Sequence, residues 1–240
     1  NQLKAMGGAG GVAAGSSVEA ASDMTVTALV EFLNGTGSNH AAVSAPGRDI
    51  LVNTRTDTTA KVFGQIKFTV DGLSFLSTDV KNKMNIASTV NLGAYAELSA
   101  GNDLSIAALI GSIYALASAY SETGSIINTQ SRPTAEVNVT AKAWIRGAEN
   151  AKLSAANLLS LVAATAENNN IYTKAYSYGF TAGGTGSVVS KAVNNTKLYG
   201  QIDILGDQSE LHGKDIYISA SAPRESEVQF RKEAKYRAET

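Results

Sequence analysis

Three aspartates, Asp49, Asp103 and Asp215, stand just ahead of apolar-x-apolar segments in similar surroundings. Recurring carboxylates are first candidates for acid–base or metal chemistry. A fourth copy of the same segment carries Leu158 at that place. Aspartates immediately before a strand commonly satisfy turn backbone groups, and carboxylates about 55 residues apart on different rungs are not expected to meet. Gly101-Asn102-Asp103-Leu104 is similar to part of a calcium-binding nonapeptide. Calcium there needs tandem copies to supply six or more oxygens, and this sequence has one, so a structural turn is expected. His40 and His212 lie far apart and there is no cysteine, which excludes a local histidine motif, a thiolate zinc site and a cysteine nucleophile. The glycines from Gly8 to Gly15 lack the preceding strand, following helix and later acidic residue of a dinucleotide loop. The expectation is therefore no catalytic residue, no metal and no cofactor: not an enzyme. The rival enzyme reading, a polysaccharide lyase or hydrolase, lacks the grouped carboxylates it needs.

The better binding candidates are Tyr172, Tyr176 and Tyr178, which with Phe180 fall at even spacing. Several can therefore share one face of a strand. Exposed, they suit stacking on sugars or docking a partner. Strand alternation normally turns one such face inward, and the expectation is a core or mixed environment.

Whatever holds these residues is repetitive. Ala42–Val52, Glu97–Ala107, Lys152–Val162 and Glu210–Ala220 each read as an apolar residue, two small residues, a polar turn, then apolar-x-apolar. In the last copy His212-Gly213 replaces the serine–alanine pair. The first anchors, Val43, Leu98, Leu153 and Leu211, are spaced by 55, 55 and 58 residues. The second, Ile50, Leu104, Leu159 and Ile216, are spaced by 54, 55 and 57. The drift is confined to the turn, the solvated part of a repeating scaffold. Alternating stretches precede each anchor, as half-buried strands do. Ala151 to Ala166 alone would pass for a helix by propensity, but its repeat partners are β-branched, and equivalent positions share a conformation. The whole set is read as β.

Alanine, serine, glycine, threonine and asparagine make up half of the 240 residues, aromatics are 7%, and the net charge is −1. So weak a field disfavours nucleic acid or an anionic membrane as partner. The uncharged stretch Leu104 to Ser121 is too polar to span a bilayer. Small side chains suit the narrow interior of a β-solenoid, whereas propeller blades carry aromatic signatures and sandwich modules need larger cores. At ~18–22 residues per coil the chain would make roughly a dozen rungs, a rod on the order of 55 Å long. Residues 1–222 are expected to form one continuous solenoid, and residues 223–240, rich in mixed charge, a solvated segment or the start of a further coil. The sequence reads as a fragment of something longer, and uncapped ends would favour end-to-end association.

The run Glu97-Leu98-Ser99-Ala100-Gly101-Asn102-Asp103-Leu104-Ser105-Ile106-Ala107-Ala108, recurring after glycine- and asparagine-rich stretches, resembles the passenger repeats of filamentous-haemagglutinin-like and leukotoxin-type filamentous bacterial surface adhesins. The resemblance covers about residues 20–222. It implies a right-handed parallel β-helix on a long secreted or cell-surface protein, usually delivered through an outer-membrane partner. Such a segment would attach to a host-cell or matrix surface, protein or glycan, by multivalent contacts, and would stack on further repeats of its own chain. The alternatives are a carbohydrate-binding or polysaccharide-degrading β-helix and a self-assembling surface-layer component.

Overall fold

The computed structural model describes residues 2–8, 11–67, 70–182, 185–204, 206, 208–223 and 229–239. Every regular element among them is a strand, and every pairing between named strands is parallel. Parallel pairing without a helical crossover requires the chain to travel round and return. The register gives the length of that circuit.

The circuit is one whole repeat. β1 (Gln2–Gly7), β2 (Gly11–Phe32) and β3 (Ala42–Ala45) form the first layer, and β4 (Ile50–Ile66), β5 (Val70–Leu92) and β6 (Glu97–Ala100) the second. In the third, one continuous strand β7 (Leu104–Gly147) replaces two and is followed by β8 (Lys152–Ala155). β9 (Leu158–Thr181), β10 (Thr185–Val188), β11 (Lys191–Ile204) and β12 (Glu210–His212) make the fourth. β13 (Asp215–Ser221) and β14 (Gln229–Glu239) then lie on β9. Val43, Leu98, Leu153 and Leu211 are direct register partners. So are Ile50, Leu104, Leu159 and Ile216. The anchors read from sequence therefore stack as one residue per layer.

This register overturns the expected coil of ~18–22 residues. Neighbouring layers are a full repeat apart, as Ile50 on Leu104 and Leu104 on Leu159 show. Four layers at ~4.8 Å rise only about 20 Å, not 55 Å. The length lies across the stack instead: the 22 residues of β2 reach roughly 70 Å at ~3.3 Å per residue. The short-coil expectation rested on short strands, whereas β2, β4 and β5 run for 22, 17 and 23 residues.

Two long limbs face each other. Asn82 on β5 donates from Nδ2 to the carbonyls of Ala60 (3.0 Å) and Leu116 (3.1 Å), two adjacent layers of the opposite limb. Between the limbs the core is largely alanine and valine, including Ala60, Ala115, Ala117, Val137, Ala141 and Ala143. Toward the short sheet β3-β6-β8-β12 the interior fills instead with Leu92, Leu98, Leu104, Ile106, Leu153 and Leu159. At the other end, where β7 turns back, buried hydroxyls pair: Ser177 donates to Ser131 (2.5 Å), Ser131 to Ser121 (2.8 Å), and Ser74 bonds Thr123 (2.6 Å). The segment from Ala151 to Ala166 enters β8 and β9 and forms no helix. Leu104 to Ser121 lies within β7, and no helix among the described residues is long and apolar enough to cross a membrane.

The aspartate turn works by the same stacking. Asp49 Oδ1 accepts from the Asp103 backbone N–H (3.1 Å) and the Asn102 amide (2.6 Å) of the next layer. Asp103 Oδ1 accepts in turn from the Leu158 N–H (3.1 Å). The structural-turn reading of Gly101-Asn102-Asp103 stands. The expectation that these carboxylates lie apart does not: with one layer per repeat, Asp49 and Asp103 are neighbours, and only Leu158 separates them from Asp215. Arg224 to Val228, part of the charged C-terminal stretch, lies outside the described residues, as do Ala9 and Gly10 of the glycine-rich start.

Candidate functional site

Strand alternation decides which side chains can meet a partner. Along β9, Ile171, Thr173, Ala175 and Ser177 point into the core, so Tyr172, Tyr176, Tyr178 and Phe180 point outward. All three tyrosines are half-buried and Phe180 is exposed. Of the expected core or mixed environment, the tyrosines have the mixed one. The inward positions of this stretch are taken by small residues because the limbs approach closely, and an aromatic ring has no room there.

The neighbouring layer supplies their partners. Tyr120 on β7 is the register partner of Tyr176, and their rings stack at 5.1 Å with only 6° between planes. Tyr114 meets Tyr172 in a tilted pair at 5.7 Å, and the Lys61 ammonium sits 5.0 Å from the Tyr114 ring centre. Such aromatic pairs contribute about 0.5–1.5 kcal/mol beyond burial. The Tyr120 hydroxyl donates to Glu122 (3.0 Å). Its pKa is pushed up to about 12, first by burial and then by that bond and the Glu122 charge, so the phenol stays protonated. Tyr172 donates to the Asn170 side chain (3.2 Å). The result is an aromatic ladder crossing layers on one broad face.

A notch of about 350 Å³ opens beside this ladder, lined by Gln2, Lys4, Phe63, Gly64, Gln65, Ser118 and Tyr120. The register explains it. Ser118 stands between Leu116 and Tyr120 along β7 and next to Phe63 across the layers, and its short side chain leaves the space that a larger residue would fill.

Sequence reasoning missed Tyr114, Tyr120 and Phe63. The repeat spacing alone did not give the pair: 55 residues before Tyr176 stands Ser121, and only the register slip at Gly111 brings Tyr120 opposite Tyr176. It missed a second cluster on the other broad face as well. There the Lys142 ammonium lies 3.2 Å and the Arg146 guanidinium 4.4 Å from the Trp144 ring centre, while the indole N–H donates to Asp203 (2.7 Å). Because Trp144 is unrepeated, the repeat pattern gave it no weight. A third feature is a cleft of about 550 Å³ where the register slips at Gly111, lined by Arg55, Thr165, Asn168 and Ser221 among others. Arg55 and Asp57 pair there at 2.9 Å, and Ser112 donates to Asp57 (2.9 Å).

Among the described residues no group of three or more histidines, cysteines, aspartates or glutamates is placed to hold a metal ion. Comparison with family models, with curated proteins and with solved structures gave no match.

Proposed function

We propose that the chain is a rod-like repeat segment of a large exported bacterial adhesin, similar to the filamentous-haemagglutinin-like and leukotoxin-type proteins. Its layers close into a right-handed parallel β-helix, and it attaches to a host-cell or matrix surface through many weak contacts. The observation that carries this reading is the register of the two anchor columns: each repeat adds one layer and one more row of outward side chains. A structure that lengthens by repetition multiplies weak contacts at fixed spacing, the geometry that multivalent attachment exploits. The outward aromatics Tyr172, Tyr176 and Tyr178 supply contact area at low conformational cost, and the ladder that Tyr172 and Tyr176 join already spans layers.

The test is attachment at controlled density. Beads carrying the chain sparsely and densely are applied to cultured cells and to extracellular matrix. Attachment rising more steeply than the coating density, and reduced by alanine at Tyr172, Tyr176 and Tyr178 together, is the expected result. Attachment no better than that of bare beads at any density would remove the proposal.

A further inference from the structure

We infer that the notch at Ser118 is a saccharide subsite that takes a carboxylated pyranose, the ring chemistry shared by uronic and sialic acids. The inference rests on the attachment reading of this face and names the chemistry that one of its contacts would recognise.

Three observations carry it. The first is an aromatic surface with one side accessible. Tyr176 covers one face of Tyr120 at 5.1 Å. On the opposite side of that ring, in the layer of β4, lie Gln65 and the notch. Phe63 adds a second aromatic wall diagonal to Tyr120. Sugar rings present C–H-rich faces that pack on such walls. The second is the polar complement. The Gln2 and Gln65 amides line the notch and supply donors and acceptors, the kind of polar group that orients ligands in small-molecule sites. The third is charge. The lining includes Lys4 and no aspartate or glutamate. Lys4 makes no ion pair among the described residues, and Lys61 stands one register row away. Glu122 is hydrogen-bonded by the Tyr120 hydroxyl and does not line the notch. An ammonium beside an aromatic wall favours a carboxylate on the ligand, because charge-assisted hydrogen bonds are about twice as strong as neutral ones. At about 350 Å³ the space is near the lower end of ligand pockets, suited to a terminal sugar residue.

The experiment measures equilibrium binding of the chain to tetragalacturonic acid, to α2,3-sialyllactose and to neutral lactose and chitotetraose. At least one acidic probe is expected to bind about tenfold or more tightly than either neutral probe, with affinity falling as salt rises. The two acidic probes distinguish a uronate from a sialate. Ser118→Trp, which fills the notch from an outward position, is expected to abolish binding while leaving the thermal unfolding midpoint in place. Lys4→Gln is expected to weaken acidic probes several-fold and leave neutral ones unchanged. Equal binding of acidic and neutral probes, undiminished binding by Ser118→Trp, or no acidic binding up to about 10 mM each overturns the inference. The bead assay run on the same preparation separates the two readings. Attachment without acidic-saccharide binding removes only the subsite, whereas no attachment removes the function it serves.

Discussion

Stacked anchors predict a gradient of mutational cost along a single column. Leu104 and Leu159 have no exposed surface, Ile50 keeps 8%, and Ile216 keeps 49%. All four occupy the same register position: Leu104 and Leu159 have a column partner on both sides, Ile50 and Ile216 on one side only, and of these two Ile216 alone stays open to solvent. Truncating a fully buried leucine to alanine costs about 2–5 kcal/mol, the transfer of its methyl groups plus the cavity left behind. Leu104→Ala and Leu159→Ala are therefore expected to destabilise by about 3 kcal/mol each. Ile216→Ala removes atoms already half in water and leaves no closed cavity, so about 1 kcal/mol is expected. Because Leu104 and Leu159 touch, the double variant should depart from additivity by about 0.5–3 kcal/mol. Urea unfolding followed by far-ultraviolet circular dichroism reads these values, with unchanged m-values as the check that layers unfold together. Should Ile216→Ala cost as much as Leu159→Ala, or should both interior variants cost less than about 1 kcal/mol, the layer-on-layer argument is wrong.

Three further outcomes follow from other contacts. Gly101→Ala would drive a Cβ into the Gly47 backbone nitrogen of the preceding layer. A large drop in melting temperature is expected, while Gly8→Ala, with open space around it, should leave the melt unchanged. Ser131→Ala removes the hydroxyl between Ser121 and Ser177 and is expected to cost about 1–3 kcal/mol in denaturant unfolding, because it strands buried polar groups. Asp57 is held below its ordinary value of 3.8, first by the Arg55 hydrogen bond and then by Ser112. A depressed folded pKa gives stability that is present above 3.8 and lost as pH falls through the lower folded value. Wild type should therefore lose slightly more stability than Asp57→Asn on acidification below 3.8, by a small amount because the pair is solvent-screened. Equal pH profiles would contradict this.

Much of the fold was legible because repetition turns a weak local signal into a strong one. A single Leu-Ser-Ala segment says little, but four at near-constant spacing locate the strands, and they also identify Ala151 to Ala166 as strand against its own helix propensity. The circuit length was not legible. A turn that ends a strand and a turn that closes a circuit use the same glycine and asparagine, and only the register between layers tells them apart. That one misreading carried through to the site. With ~20 residues per coil, Asp49 and Asp103 are far apart and Tyr120 has no relation to Tyr176; with one layer per repeat, both pairs are in contact. The facing of the tyrosines was partly legible: exposed Lys174 shares their even positions, while Ile171, Thr173, Ala175 and Ser177 fill the odd ones. The odd positions face an opposite limb at a distance that the Asn82 side chain bridges.

That distance also accounts for the composition. Toward the short sheet leucine and isoleucine dominate the interior. Along the limbs, where Asn82 bridges from one to the other, alanine and valine predominate beside Met84 and four isoleucines. At the far turn of the third and fourth layers Ser121, Ser131 and Ser177 are joined by hydrogen bonds. In the first two layers that end is filled by Val18, Ile66 and Leu76 instead. A chain half composed of five small or polar residue types is not poor in core; its core is long and ends in hydroxyls in the later layers. Leucine, isoleucine and Met84 are buried in this interior, but no aromatic ring is among the buried side chains of the described residues, so the aromatic ladder on the broad face is a consequence of the packing as well as the surface it offers to a partner.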